Sequence, residues 1–368
     1  MDLVTTIVII AKVIGWLLAL FGAYVGIRQL VQWHKEAVDR KEVRTRLEQL
    51  SHKIDGITLY PDGLAAMPER RRLALLRRGL ESMQAYKYSE AIGFFRECLG
   101  AGITQSQKIA LLNLIGNCFL YISRLNEAEG HYREAETAAR ESNDKEGLPD
   151  ILGNMGIVYE IKGEPGKALE HHKQALKIHR EIGHRGGEAN DLDNMGIVYR
   201  EKGEPGKALE HYKQALKIHR EIGDREGEAN DLGNMGVAYG IKGELGKALE
   251  HKKQALKIHR EIGDRGGEAT DLGNIGNVYK LKDEPDKALE HYKQALKIHR
   301  EIGHREGEAT SLNNMGNVYG MKDEPDKALK YLQQALKINR EIGAKQEVTR
   351  IRENINLIQR VKEGRSPK

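Results

Sequence analysis

The chain has 368 residues, of which 31% are charged and only 5% aromatic, a composition typical of long solvent-facing helices rather than of one deep core. Its 59 Lys and Arg against 54 Asp and Glu leave a net charge of +5, which gives no sign of a dedicated nucleic-acid binder. Two cysteines, Cys98 and Cys118, make neither a disulfide framework nor a metal-ligand pattern and fit a reducing compartment.

The first element is the stretch LVTTIVIIAKVIGWLLALFGAYVGI, residues 3–27, whose only charge is Lys12. At about 1.5 Å per residue it is long enough to cross a ~30 Å hydrocarbon layer, and it lacks the basic leader that a secretory signal carries. It is expected to be a transmembrane anchor. Arg28, Lys35, Arg40, Lys41, Arg44 and Arg46 follow it, so the positive-inside rule puts the repeats on the cytoplasmic side of a single-pass membrane protein. Gly15, Ala19, Gly22 and Gly26 share one stripe of this helix, a packing surface through which two copies could form a homo-oligomer. Residues 28–66 read as a charged juxtamembrane stalk.

A 40-residue period then takes over. Gly116 recurs at Gly156, Gly196, Gly236, Gly276 and Gly316, and the seventeen residues KALEHYKQALKIHREIG stand unchanged at 207–223 and 287–303. A shorter, diverged unit with Gly79, Ala91 and Phe95 at the same offsets precedes them. Seven units result: 67–107, 108–147, 148–187, 188–227, 228–267, 268–307 and 308–345. Fixed self-similarity of this length marks a solenoid, in which each copy is the wall of the next.

Each unit reads as two helices. In the fourth, helix A starts near Gly187 and stops at Gly203, Pro205 opens helix B, and Gly223 ends it. Leu192, Met195, Gly196 and Tyr199 form the buried stripe of helix A, and Ala208, Tyr212, Ala215, His219 and Ile222 that of helix B. Gly196 and Ala208 are expected to let the two backbones close up. After the last unit, residues 346–368 hold a capping helix and a tail, with Val348, Ile351, Ile355 and Ile358 on one face.

The Leu, Gly, Tyr, Ala, aromatic, Ala spacing of these units resembles the tetratricopeptide repeat, over about 280 of the 368 residues. The 40-residue length is similar to the repeats of G-protein-signalling modulators of the Pins/LGN group and of kinesin light chains. The resemblance implies an all-α fold, a right-handed superhelix of about seven helix-turn-helix repeats with a C-terminal capping helix. It also implies a scaffold or adaptor role in which a protein or peptide ligand lies in the concave groove.

On helix A, opposite the core stripe, lie the candidate groove residues. Asn154 recurs as Asn194, Asn234, Asn274 and Asn314, and each amide offers a donor and an acceptor to a guest backbone. In the signalling-modulator repeats, groove asparagines contact the peptide, and these five positions match them. Asn190 and Asn230 lie nearby. Ile157, Ile197, Asn277 and Asn317 belong to a column that changed after copying, as do Arg200 and Lys280 in another. A third varied column is Ile161, Glu201, Ile241, Leu281 and Met321. An apolar-anchored segment, extended or helical, is the expected partner.

Histidines also repeat, as His171, His211, His251 and His291 and as His179, His219, His259 and His299, one of each kind per unit. That ladder spreads them out rather than converging them on a metal, and the second set belongs to the helix B core stripe. No nucleophile–base pair, phosphate loop or zinc motif is present, so neither a catalytic site nor a cofactor is expected.

Overall fold

The computed structural model describes residues 68–100 and 103–363. The expected anchor with Gly15, Ala19, Gly22 and Gly26, and the stalk, lie outside the described residues. Among the described residues no helix is long and apolar enough to cross a membrane.

Fifteen helices make up the described chain. They fall into two compact units, the first ending at Glu204 and the second starting at Pro205. The first unit holds α1 (Pro68–Gln84), α2 (Tyr88–Cys98), α3 (Gln105–Tyr121), α4 (Leu125–Glu141), α5 (Leu148–Ile161), α6 (Pro165–Ile182) and α7 (Arg185–Glu201). The second holds α8 (Pro205–Ile222), α9 (Arg225–Ile241), α10 (Leu245–Ile262), α11 (Arg265–Leu281), α12 (Pro285–Glu301), α13 (Arg305–Met321), α14 (Pro325–Glu341) and α15 (Lys345–Lys362). Within each unit every helix packs on the next in sequence. Some A helices also touch the A helix of the following repeat, as α11 does α13.

Local chemistry sets the ends. Asp224 and Asp264 each accept a hydrogen bond at 2.9 Å from the backbone N–H three residues on, so these A helices start at Arg225 and Arg265. Helix A of the fourth unit likewise opens at Arg185, two residues before the expected Gly187. At the other end Gly263 takes φ 75°, a left-handed conformation that costs glycine little, and the Asp264 N–H closes back on the His259 carbonyl at 2.9 Å.

The core is the expected set of stripes, with two corrections. In the second unit Leu272, Ile275, Tyr292, Leu312, Met315, Leu332 and Leu336 are continuous with Ile351 and Ile355, while Val348 and Ile358 pack on the rim. Helix α15 therefore covers the last repeat. Ile222, expected in the core, is exposed; it ends its helix beside the left-handed Gly223, where no neighbour reaches it. The repeat glycine also works differently from expectation. A Cβ at Gly276 would stand 2.6 Å from the Tyr292 ring, and one at Gly116 would stand 2.5 Å from Tyr132. In these copies the glycine admits the aromatic ring of its own helix B, while Gly316 admits Leu332 and also lies close to the Ala328 carbonyl.

Candidate functional site

The core tyrosines lead to the face opposite. Tyr132 Oη donates to Asn117 Oδ1 at 2.6 Å and Tyr292 Oη to Asn277 Oδ1 at 2.7 Å. A buried hydroxyl needs a partner, and in these two copies helix A supplies asparagine fifteen residues earlier, whereas before Tyr212 it carries Ile197. Where helix B offers His172, the same helix A position is the apolar Ile157. At Asn117, Asn277 and Ile157 the residue matches the core side chain behind it, but Ile197 before Tyr212 and Asn317 before Leu332 do not follow that pattern.

In the first unit Asn154 of the asparagine ladder ties its repeat to the one before. Asn154 is 4% exposed, and its Nδ2 donates to Asn113 Oδ1 at 2.8 Å and Asn117 Oδ1 at 3.2 Å, across to the previous repeat. Asn194 is buried as well, and Asn190 and Arg200 are half-buried. Ile157 and Ile197 are buried, which corrects their assignment as guest contacts: as apolar side chains they are taken up in the packing.

The second unit is more open. Asn230, Asn234, Asn274, Asn314, Asn277, Asn317 and Lys280 are all half-buried. Asn317 accepts from Asn354 of α15 at 3.3 Å, which repeats at the end of the array the bond that Asn154 makes to Asn117. No hydrogen bond among the described residues uses the amides of Asn274 and Asn314, so both keep a donor and an acceptor. Gly273 lies one residue before Asn274, and a Cβ there would meet nothing within 4 Å. Beyond them Ile241, Leu281 and Met321, the last residues of α9, α11 and α13, stand in solvent.

The opposite side carries charge. A groove of about 570 Å³ is lined by Lys253, Leu256, Lys257, Arg260, Glu261, Ile275 and His291. Its charges are largely matched: Arg260 binds Glu268 at 2.8 Å and Glu261 binds Arg225 at 2.5 Å.

Between repeats the sequence reading missed a buried polar bolt. His179, His219 and His259 each reach an aspartate twelve residues on, with Nδ1 2.6 to 2.7 Å from Asp191, Asp231 and Asp271. The histidines were expected to be packed and hydrogen-bonded; their partners were not identified. The signal lay in an exchange, because Ser311 replaces the aspartate in the next copy and His304 brings its Nδ1 to 3.2 Å from His299 Nδ1 instead. Two neighbouring rings do not make a metal site, and no three metal-binding side chains converge among the described residues.

A family model described as the tetratricopeptide repeat matches residues 107–181, 147–221, 188–261 and 267–341. Among solved structures the chain is similar to a signal-transduction ATPase with numerous domains and a tetratricopeptide repeat sensor, from Pyrococcus horikoshii. The TM-score is 0.66 at 16% identity, over 88% of this chain and 49% of that one, so the chain spans about half of that protein's length. It is similar to the apo form of RapI, with a TM-score of 0.60 at 16% identity over 74% of this chain and 99% of that one. A Rap protein complexed with competence and sporulation factor gives a TM-score of 0.57 at 13% identity over 92% and 98%. At these identities the likeness extends to the fold alone. No curated protein matches the chain.

Proposed function

The chain belongs to the tetratricopeptide repeat family, and from that premise we propose that it is a scaffold or adaptor that holds a segment of another protein against its A helices. The observation that carries this is the second unit's inner face. There Asn274 and Asn314 keep their hydrogen-bonding capacity while neighbouring asparagines are used inside the fold. An amide in that state can satisfy both polar groups of a guest peptide bond, which a guest leaving water needs. The solved structure of a Rap protein with competence and sporulation factor is one in which a similar fold carries a ligand.

The test is affinity capture with the full chain and with Asn234, Asn274 and Asn314 all changed to Ala. Loss of the captured proteins with unchanged helical content supports the reading; an unchanged set removes it.

The membrane tether belongs to the same proposal. Residues 3–27 would hold the repeats at a bilayer with their bulk on the cytoplasmic side, and the Gly15, Ala19, Gly22 and Gly26 stripe would let two tethers pair. Alkaline carbonate extraction of membranes decides it: the full chain stays in the pellet and a chain lacking residues 1–27 is released. Release of both forms excludes a spanning helix.

A further inference from the structure

Resting on the peptide-binding reading above, we infer that the guest of the second unit is an amphipathic α-helix with apolar residues in heptad register and basic residues beside them. The row that reads it is Ile241, Leu281 and Met321, which are 54%, 62% and 57% exposed. These side chains contribute little to the core, since more than half of each remains in water. Their identity has drifted from Ile to Leu to Met since the copies diverged, yet each stayed large, apolar and exposed. The isoleucines at the ends of the B helices, such as Ile222 and Ile262, are also exposed, but they are the same letter in all five copies from Ile182 to Ile342 and carry no such record. Scattered exposed apolar side chains are ordinary; a row on successive parallel elements is a docking surface.

The spacing selects the conformation of the guest. Packed helices lie about 8–10 Å apart and α11 touches α13, so Leu281 and Met321 are expected to offer apolar contacts about 10 Å apart, with Ile241 one repeat further on. Seven residues of an α-helix rise about 10.5 Å and return to nearly the same face. Three residues of a β-strand also span about 10 Å, but the side-chain direction alternates and the third residue points away from the first. A polyproline helix keeps its face at about 9.3 Å, but segments of that kind dock on aromatic-lined grooves, and this row is wholly aliphatic.

The charge of the guest follows from the turn beside the row. Asp283 and Asp323 sit two residues after Leu281 and Met321, in left-handed backbone at φ 57° and 56° where the earlier copies keep Gly163, Gly203 and Gly243. Both are exposed, and among the described residues no cation pairs with either. Two acids placed where glycine fits the backbone better, against Lys280 beside the same apolar row, complement a helix with Lys or Arg flanking its apolar stripe.

The experiment is selection from a displayed library of random peptides of about 21 residues, three heptads, against the full chain. The enriched peptides are then measured by fluorescence anisotropy on the parent, on Leu281→Gln with Met321→Gln, and on Asn274→Ala with Asn314→Ala. The expected result is enrichment of sequences with apolar residues at heptad spacing and flanking Lys or Arg, whose affinity falls about tenfold or more in the Leu281 and Met321 variant. Both substituted side chains are exposed, so helical content and melting temperature stay unchanged. Enriched peptides with alternating or proline-rich patterns, or heptad peptides that bind the Gln variant as well as the parent, overturn the helical guest. If such peptides still lose affinity for the Asn variant, the groove stands and only the helix falls. Binding that survives both variants, or a library that yields no enrichment, removes the inference and the groove reading together.

Discussion

At the scale of single residues, the repeat-to-repeat junctions titrate in opposite directions. His259 lies above its ordinary value: burial opposes the charge, but the Asp271 hydrogen bond and the carboxylates of Asp271, Asp264 and Glu226 outweigh it. The fold therefore favours the protonated ring. That contribution is complete below the unfolded value of about 6.5 and is lost as pH rises through the folded value. His299 behaves oppositely, because burial and then the His304 ring push it down to about 4 against the pull of Glu308. Its fold needs the neutral ring, so this junction loses stability as pH falls from about 6.5 toward 4. Changing His304→Asp and Ser311→Asp gives His299 the two aspartates that His259 has, although Gly266 stands where His259 has Glu226. Urea unfolding at pH 7 and pH 5 should then show a smaller loss on acidification than in the parent; an equal loss contradicts the assignment. The recurring histidines were legible in the sequence, but their aspartates were not, because a partner twelve residues away on another helix leaves no helical periodicity to read.

At the scale of the helix, two glycines three residues apart in α11 make opposite predictions. Gly276 lies under the Tyr292 ring, which its hydroxyl bond to Asn277 pins in place. Gly276→Ala should cost about 1–3 kcal/mol through overpacking. Gly273 has open space where a Cβ would go, so Gly273→Ala should stabilise the fold by about 0.5–1 kcal/mol through helix propensity alone. Urea midpoints for the two variants check both signs. Helix ends were readable from Gly, Pro and Asp to within two or three residues, since each marks a backbone requirement. The reason for Gly276 was not, because the large ring that needs the space comes from a different helix. The groove columns were misread in part for a related reason: Asn277 is bonded to Tyr292 of another helix, and Ile157 and Ile197 are buried by neighbours that no single-helix pattern contains.

At the scale of the whole molecule, a repeat array is stabilised by contacts between neighbours, so its end needs a cover. Helix α15 supplies Ile351 and Ile355 to the core of the last repeat. A chain ending at residue 344 exposes that surface and should show faster amide exchange in α13 and α14, with α9 and α10 unchanged; uniform protection would mean that α15 is dispensable. The stacking of helices in sequence order, within each of the two units, was legible from the period alone. What the period could not give was which copies leave their amides unbonded and which spend them on one another, since the letters are the same and only the packing differs. The measurement that bears most directly on the central claim is site-specific photo-crosslinking with benzoylphenylalanine at Leu281 on the A-helix face and at Lys253 on the opposite face of the full chain, in the cells that produce it. Guest adducts from position 281 and none from position 253 are the result expected; adducts confined to position 253 would contradict it.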